Sequence, residues 1–369
     1  MKLKFQVLSM VIIMFIALSS IVTAKEKKIQ APKLNSHAAV VIDQNSGRIL
    51  YGKNDNKILA MASTTKIITA IVAIENGKLT DQVTVSKKAA SINGSSAGLK
   101  EGEKVSLEEL IYGLMMKSGN DAAIAIAEHI GDGKVENFIK LMNHKALELG
   151  LYNTHFVTPH GLDADTHHTT ARDLAKATAY ALKNKVFQKV SACKEISSGE
   201  SGAFNKSYNN INKFLFRLPD ADGVKTGYTG NAGKCLVASV THQYGRYIAV
   251  TLNSGDRWKD CENLVNYAKE NFSHIKIETD SLNILKSRVL GGEEKYLQST
   301  IDKEIYLPVL KGEENNIKTE VQIPSVINSP VYKNDHIGNL LIYVNDKLET
   351  TFPFISNKNI ENKIYNKAM

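Results

Sequence analysis

The sequence lacks the features that mark several large classes of protein. Across 369 residues it shows no internal repeat, no low-complexity tract and no basic stripe interleaved with aromatics, which argues against nucleic-acid binding. Only three cysteines occur, Cys193, Cys235 and Cys261, and their odd number and spacing fit neither a disulfide framework nor a zinc site. We therefore predict no nucleic-acid partner, no metal and no cofactor, and we do not predict the single disulfide that three thiols would allow.

The first 24 residues differ from the rest of the chain. Lys2 and Lys4 precede the apolar run VLSMVIIMFIAL, and small residues lead to Ala24 before the charged stretch KEKK. This order is typical of a cleaved secretory signal at 1–24, and the run is short for a membrane span, although an uncleaved anchor is the alternative. Loss of two lysines would lower the net charge from +8 to about +6. We expect an exported protein that works outside the cytoplasm, in the cell envelope.

Strand and helix patterns alternate along residues 25–275, which we predict to form one α/β domain. The runs AAVVID (38–43) and RILYG (48–52) predict a hairpin, and the helical pattern at 62–75 has no polar face, which predicts a buried helix. Further helices are predicted from Ser106, from Asp121, over 135–150 and over 257–272, and strands at 224–230, 234–242 and 246–254. Strands at both ends with helices between them predict an antiparallel sheet sandwiched by helices.

Residues 276–356 are rich in strand patterns and predict a small all-β domain. Its strand-like runs are EIYLPVL, IKTEVQIP, NLLIYVN and ETTFPFI. A polar tail follows at 357–369, and its apolar residues on one side are Ile360, Ile364, Tyr365 and Met369. We interpret this tail as a weak membrane anchor at most, so a membrane surface is a candidate partner through the tail alone.

Ser63 and Lys66 stand one helical turn apart at the start of the apolar helix, so both side chains share one face. A serine hydroxyl becomes a good nucleophile when a neighbour accepts its proton, and a lysine amine with a lowered pKa can do so. Lowering that pKa from about 10.4 to about 7.5 costs roughly 4 kcal/mol, and burial beside a second cation is the usual cause. The pattern alone is weak, because Ser191–Lys194 and Ser273–Lys276 repeat it.

Ser118 and Asn120 flank a glycine in the break between two predicted helices. A hydroxyl and an amide at this place could relay a proton and hold a substrate amide. The alternative is a helix stop followed by a capping residue. The bare pattern is common, since 91–93 and 207–209 share it.

Lys225, Thr226 and Gly227 lie on the first strand after the helical region. The lysine supplies a fixed positive charge, the threonine a hydroxyl donor, and the glycine lets a ligand backbone approach closely. Such a strand suits a substrate with a free carboxylate. An ordinary surface strand with a glycine bulge is the alternative.

Taken together, in this order and setting, the three motifs resemble those of the penicillin-binding, active-site-serine peptidases. The closest likeness is to the low-molecular-mass D-alanyl-D-alanine carboxypeptidases. It covers roughly 35–270, and the carboxy-terminal β domain is also similar to that of this family. The matching segments include ASTTK (62–66), GSS (94–96), SGNDAA (118–123), GLD (161–163), TARDLA (170–175) and DGVKTGYT (222–229).

The resemblance implies a catalytic role for three of these residues and a substrate-binding role for a fourth. Ser63 would be the nucleophile and Lys66 its general base. Ser118 would relay the proton to the leaving D-alanine, and Asn120 would bind the substrate amide. The implied reaction removes the terminal D-alanine from peptidoglycan stem peptides through an acyl-enzyme, as part of peptidoglycan maturation and cell shape.

The resemblance also implies a binding role for the strand that carries Lys225. Lys225 and Thr226 would bind the terminal carboxylate, with Gly227 beside them, and Arg257 would steer it. The backbone N–H groups of the serine and of Tyr228 would form the oxyanion hole. Because that donor is a backbone group, a tyrosine where some relatives have histidine should affect substrate preference more than competence. β-Lactams would act as covalent inhibitors.

Three other functions fit parts of the sequence. A β-lactamase shares the motifs, but the segment Glu148–Tyr152 lacks the asparagine of the deacylating turn and is better interpreted as a helix end. A metal site could draw on a loop rich in donors, although their spacing fits no zinc pattern. The donors are His155, His160, Asp163, Asp165, His167 and His168. A non-enzymatic wall-binding or drug-sensing module is the third alternative, which the complete set of catalytic residue types argues against.

Overall fold

A computed structural model of the protein describes residues 29–199, 204–279, 282, 286–301 and 303–363. The chain divides into two units, 1–31 and 32–369, and the second holds every element discussed below. The signal peptide predicted at 1–24 lies outside the described residues. Within the described ranges, no helix is both long enough and apolar enough to cross a bilayer.

A five-stranded antiparallel sheet forms the centre of the larger lobe. Its strands are β1 (Ser36–Asp43), β2 (Ile49–Lys53), β7 (Ala221–Thr229), β8 (Gly233–His242) and β9 (Gly245–Ser254). They lie in the order β2-β1-β9-β8-β7, so β7 is an edge strand. The predicted hairpin and the three later strands are confirmed, and β7 begins at Ala221 rather than Val224.

Both faces of this sheet are covered, which explains why the first strand is apolar at almost every position. Successive strand residues point to opposite faces. Ala38 and Val40 pack into the core beneath most of the helices, whereas Ala39 and Val41 pack into a second core on the other face. A strand buried on both sides is a continuous apolar run. The predicted helix-covered antiparallel sheet is therefore confirmed.

The helices begin with a 3-10 turn over Ala62–Thr65 that leads directly into the buried helix. They are α1 (Lys66–Asn76), α2 (Lys87–Ser91), α3 (Leu107–Met116), α4 (Asn120–Ile130), α5 (Val135–Glu148), α6 (Ala171–Ala181), α7 (Lys185–Ala192) and α8 (Arg257–Asn271). In α1, residues Ile67 to Ala73 are at most 1% exposed, as the missing polar face predicts. Helices α2, α6 and α7 were not predicted. A readable signal was present for α6, because the hydroxyl of Thr170 caps Asp173 N–H.

The carboxy-terminal part is built from strands, and we call 272–363 the β lobe and 32–271 the α/β lobe. Its strands are β10 (Phe272–Ile277), β11 (Lys286–Leu290), β12 (Tyr296–Thr300), β13 (Ile305–Leu310), β14 (Ile317–Gln322), β15 (Val326–Asn328), β16 (His336–Val344) and β17 (Lys347–Ser356). The four predicted strands correspond to β13, β14, β16 and β17. Strand β10 follows α8 without a break and pairs with β13, so the predicted boundary at 275 falls inside it.

The described part of the tail packs on the β lobe. Ile360 is 2% exposed, exchanges backbone hydrogen bonds with Val331 and shares an apolar cluster with Val289 and Leu297. This removes Ile360 from the apolar side that a membrane contact would use. Residues 364–369 lie outside the described ranges.

Candidate active site

Ser63 lies in a tight turn that its surroundings hold in place. The turn spans Ala62–Thr65, and Ala62 adopts a left-handed backbone with φ of 49°. This conformation is unfavourable for a residue with a side chain, so neighbouring contacts must stabilise it. The hydroxyl of Thr65 donates to the Ala62 carbonyl at 2.8 Å. Gly161 packs so closely that an added Cβ would lie 2.0 Å from the same oxygen.

Lys66, the first residue of α1, is fully buried beside the serine. Its Nζ lies 2.9 Å from Ser63 Oγ, 2.8 Å from Asn120 Oδ1 and 2.6 Å from the carbonyl oxygen of His160. A neutral amine has two N–H donors and one lone pair. The asparagine and histidine oxygens can accept both N–H groups, which leaves the lone pair for the serine proton.

The electrostatic setting favours the neutral amine. Burial lowers the pKa of Lys66 well below its usual value, the charge of Lys225 lowers it further, and Asp121 opposes both. Burial and the nearby Arg257 also lower the pKa of Lys225, to about 7. Lys225 therefore places a second amine on β7 within electrostatic reach of Lys66, and this amine is mostly charged at pH values below about 7.

Asn120 and Ser118 lie at the junction of α3 and α4. The capping alternative is wrong, because Gly119 is the N-cap of α4 and no side chain caps this helix. Asn120 instead bonds Lys66 through Oδ1 and donates from Nδ2 to the Asn93 carbonyl at 2.7 Å. Its amide retains a second N–H for a substrate carbonyl. Ser118 is 3% exposed and has a φ of 59°, so the turn next to Asn120 holds it in a left-handed conformation.

Asp121 organises the loop that covers this junction, a role that the sequence interpretation missed. Its carboxylate accepts from the N–H groups of Ala97 at 2.8 Å and Leu99 at 3.1 Å, and from the Ser96 hydroxyl at 2.6 Å. A buried carboxylate with several donors is satisfied without a cation. The loop at 93–99, whose carbonyl groups bond the neighbouring asparagine, is thereby fixed.

Strand β7 carries Lys225, Thr226 and Gly227 to the turn of the serine. Lys225 and Thr226 are 1% and 6% exposed, and Lys225 Nζ donates to the Thr226 carbonyl at 2.9 Å. We predicted that the glycine admits a ligand backbone. The structure shows a different reason for it, because an added Cβ at Gly227 would lie 3.0 Å from Ser63 N. The space belongs to the protein's own backbone, so a side chain there would push β7 away from the serine.

Arg257 reaches β7 from the first turn of α8. Its Nη1 donates to the Gly227 carbonyl at 2.8 Å and to the Cys235 carbonyl at 3.3 Å, and its guanidinium lies 4.7 Å from the Trp258 ring. Tyr228, which is 68% exposed, lines a cavity of about 430 Å³ beside the strand. The other lining residues are Lys234, Gly255, Asp256, Arg257 and Trp258. Arg257 therefore both holds the strand and places a positive charge at this cavity.

The loop over 155–168 supports the serine turn and does not gather its donors for a metal. His155 Nδ1 faces the Thr166 carbonyl at 3.0 Å, and Asp163 accepts from the Thr229 hydroxyl at 2.6 Å. Among the residues that the structure describes, no three donor atoms of this loop lie together as metal ligands would. The loop instead ties α1 to the turn after β7.

His167 is the start of a hydrogen-bond chain that ends at the serine turn. Val157 N–H donates to His167 Nδ1 at 2.9 Å, so the proton of the neutral ring is on Nε2. His167 Nε2 lies 2.8 Å from Thr65 Oγ1 and can donate to it, and the Thr65 hydroxyl in turn donates to the Ala62 carbonyl. Burial is the main reason that the pKa of His167 is lowered to about 4. The ring therefore stays neutral, and the chain intact, above that pH.

Replacing His167 with phenylalanine should slow acylation of Ser63 by about 10- to 100-fold, because small displacements of a nucleophile have effects of this size. His167→Gln offers an amide donor and acceptor and should restore most of the rate. The measurement is the single-turnover acylation rate constant with penicillin, beside the dissociation constant of the non-covalent complex. A phenylalanine variant that acylates at the normal rate would contradict this positioning role.

The two other segments with a serine three residues before a lysine, Ser191–Lys194 and Ser273–Lys276, do not bring their hydroxyl and amine together; we call them the decoy motifs. Ser273 and Lys276 lie on β10, where a spacing of three residues puts side chains on opposite faces, and Lys276 pairs with Glu304. Ser191 Oγ donates to the Gln188 carbonyl in the last turn of α7. Only the helical pair of Ser63 and Lys66 has its hydroxyl and amine in contact among these three motifs.

A helix-covered antiparallel sheet with this serine–lysine pair is typical of the penicillin-recognising, active-site-serine enzymes, which include peptidases and β-lactamases. The chain belongs to the D-alanyl-D-alanine carboxypeptidase family, whose model matches residues 25–256, and the model for the penicillin-binding protein 5 C-terminal domain matches 272–362. It is 35% identical to D-alanyl-D-alanine carboxypeptidase DacF of Bacillus subtilis (strain 168), over 83% of this chain and 80% of that protein. It is 33% identical to DacC of Escherichia coli (strain K12), over 92% and 87%. Penicillin-binding protein 5 of Haemophilus influenzae superposes with a TM-score of 0.71 at 28% identity, over 90% of this chain and 100% of that one.

Proposed function

We propose that this protein is a serine-type D-Ala-D-Ala carboxypeptidase that removes the terminal D-alanine from peptidoglycan stem peptides through an acyl-enzyme on Ser63. The observation that carries the proposal is the set of three contacts made by Lys66 Nζ, which leaves one lone pair facing the serine hydroxyl. Membership of the carboxypeptidase family supports the substrate class. Trimming of stem peptides would contribute to peptidoglycan maturation and cell shape.

In the acylation step, Ser63 Oγ attacks the carbonyl carbon of the penultimate D-alanine while its proton passes to Lys66 Nζ. The tetrahedral intermediate collapses by breaking the bond to the terminal D-alanine, whose nitrogen receives a proton from Lys66 by way of Ser118. A water molecule then attacks the ester carbon and gives a proton to Lys66. The ester bond breaks, and the serine hydroxyl is restored with that proton.

The oxyanion of both intermediates needs donors in place before the reaction. We assign the backbone N–H groups of Ser63 and Tyr228, and the close approach of Gly227 to the serine backbone supports this pairing. A donor of this type typically contributes about 3–4 kcal/mol to lowering the barrier. The held left-handed turn at Ala62 would keep the serine N–H aimed at the reacting carbonyl.

Lys225→Met should raise KM for a D-Ala-D-Ala peptide about 10- to 100-fold, because a charge-assisted contact to the terminal carboxylate is lost. A thioester substrate without a free carboxylate should lose far less. Steady-state kinetics with both substrates measures this difference at a pH above the lowered pKa of Lys66 and below about 7, where Lys225 is charged. Lys259→Met, at a side chain that is 56% exposed, is the matched control. Equal losses on both substrates would argue against carboxylate binding by Lys225.

Penicillin should acylate Ser63 quickly and be released slowly. Its opened ring stays bonded to the acyl group, whereas D-alanine departs and leaves room for water, and the described residues offer no dedicated glutamate that would activate a water from another side. Glu148, the residue considered for that task, ends α5 with a side chain 44% exposed and pairs with Lys145. Peptide mapping after reaction with labelled penicillin identifies the acylated residue. The loss of label from the protein with time gives the lifetime of the acyl-enzyme. Hydrolysis of a β-lactam on the order of tens per second would favour a β-lactamase instead.

We also propose that the enzyme acts outside the cytoplasm, which the basic, apolar and small-residue order of 1–24 supports. The substrate class agrees with this location, since stem peptides are built into the cell wall. Any membrane contact through the tail at 357–369 would have to use residues after Ile360, because that side chain is packed in the β lobe.

A further inference from the structure

Three buried donor atoms face one another at the junction of the two lobes. Asp43 ends β1, His242 ends β8, and His274 lies on β10. Asp43 Oδ2 is 4.0 Å from His242 Nε2 and 3.9 Å from His274 Nε2, and all three atoms lie within 4.8 Å of one another. Within the described ranges, none of these three atoms has a hydrogen-bond partner.

Such an arrangement is unfavourable unless something occupies its centre. Asp43 is 1% exposed, and the side chains of His274 and His242 are 5% and 13% exposed. A buried carboxylate oxygen without a donor or a cation loses its hydration with no compensation. The ion pairs found among the described residues give Asp43 these two imidazoles, and the charge of Lys303 acts on Asp43 from beyond ion-pair distance. The centre therefore calls for a positive or hydrogen-bonding occupant.

We propose that Asp43, His242 and His274 bind a divalent cation of the zinc type, with a water molecule as the fourth ligand. Two imidazole nitrogens and one carboxylate oxygen favour zinc over calcium or magnesium, which prefer oxygen ligands. Ligands about 2.0–2.1 Å from a tetrahedral zinc are about 3.3 Å apart. The side chains would close on the ion by about half an ångström each from their present separations of 3.9 and 4.0 Å.

The surroundings hold the carboxylate and the rings in position. The second oxygen of Asp43 accepts from the N–H and the hydroxyl of Ser46 at 2.8 and 2.7 Å. The ring of His242 stacks on Tyr247 at 4.2 Å, and Tyr244 lies 5.3 Å from the His274 ring. Outer contacts of this kind orient metal ligands.

Metal binding requires one local change at His242. Its Nδ1 accepts a hydrogen bond from Tyr244 N–H at 3.2 Å, which places the proton of the neutral ring on Nε2. Coordination through Nε2 moves that proton to Nδ1 and gives up this one long hydrogen bond. Coordination therefore loses one long hydrogen bond at His242 and gains a metal–nitrogen bond.

The site is remote from the serine and joins the lobes. Across the sheet, Asp43 pairs with Tyr247, Tyr247 with Val240, and Val240 with Ala221, which is four residues before Lys225 on β7. Because β10 is the first strand of the β lobe, an ion here would tie that lobe to the end of β1. Other contacts already join the lobes at this junction, among them Arg48 with Glu313 at 2.9 Å and Thr350 with the Ser46 carbonyl at 2.6 Å. The ion should therefore stabilise the protein without changing its catalysis.

Equilibrium dialysis of the full-length protein against Zn²⁺, with the bound metal measured by mass spectrometry, tests the site. We expect one tightly held zinc per chain, and His274→Gln should weaken its binding at least about 100-fold. Zinc should raise the thermal unfolding temperature of the wild type and not that of the variant. His144→Gln, at a side chain 71% exposed on α5, is the matched control and should bind zinc normally.

The proposal would be overturned if His274→Gln and the wild type bound zinc with equal affinity. It would also be overturned if the wild type bound no zinc in the dialysis. Should His274→Gln fail to fold, crystals of the wild type soaked in zinc decide the question by anomalous scattering. A peak about 2.0–2.2 Å from all three donor atoms supports the site. An ordered water without anomalous signal, or a zinc peak elsewhere only, refutes it. Chelation should leave D-alanine release intact, which separates this proposal from that of the enzymatic function.

Discussion

Ser63→Ala should abolish release of D-alanine from a diacyl-Lys-D-Ala-D-Ala peptide, with a loss on the order of 10⁴-fold or more. Without the hydroxyl no acyl-enzyme can form, and a neighbouring water would have to replace it without being positioned. Quantifying free D-alanine by chromatography measures the loss. Intact-protein mass spectrometry should show no penicillin adduct on the variant.

The variant should still fold, which makes this test informative. The left-handed turn is held by the Thr65 hydroxyl and the close packing of Gly161, and neither contact involves the serine side chain. Ser273→Ala, in the decoy motif on β10, is the control and should keep full activity. An active Ser63→Ala enzyme would overturn the assignment, and a wild type that binds penicillin but releases no D-alanine would favour the non-enzymatic module.

Most of the fold could be predicted from the sequence because its central helix and strand are apolar at almost every position. Helix α1 has no polar face and strand β1 almost none, and the structure buries both on all sides. Helices α6 and α7 were missed although both have buried residues at helical spacing and N-caps, at Thr170 and Asn184. The boundary after α8 was misplaced because β10 starts without a turn.

The contact between the proposed nucleophile and its proposed base could be predicted from sequence, whereas the residues that position them could not. Ser63 lies in the 3-10 turn that leads into α1 and Lys66 is the first residue of α1, so local spacing is enough to pair them. Asp121 and His167 act through contacts with residues more than twenty positions away, and nothing local distinguishes them from other polar residues. The cluster of Asp43, His242 and His274 was even harder to predict from sequence, because its members lie on three separate strands.

Lys66→Arg should lower the acylation rate on the order of 10³-fold, although it preserves the positive charge that a purely structural role would need. A guanidinium stays protonated at any pH that a protein tolerates, so it offers no lone pair to the serine proton. In the wild type, acylation should fall as pH falls through the lowered pKa of Lys66, because protonation removes that lone pair. Single-turnover acylation by penicillin from pH 4 to 9 records this acidic limb. An arginine variant that acylates at the wild-type rate would refute the base assignment.

Lys225→Met then tests why the amine is neutral. Burial is the main cause of the lowered pKa of Lys66 and the charge of Lys225 the second, so removing that charge should raise the pKa. The acidic limb of the acylation profile should therefore move to higher pH, while the plateau rate for a thioester without a carboxylate changes little. Lys259→Met should leave the limb in place, since its ammonium is exposed and screened by solvent. A limb that stays fixed in Lys225→Met would mean that desolvation alone sets the basicity of Lys66, with β7 needed only to bind substrate.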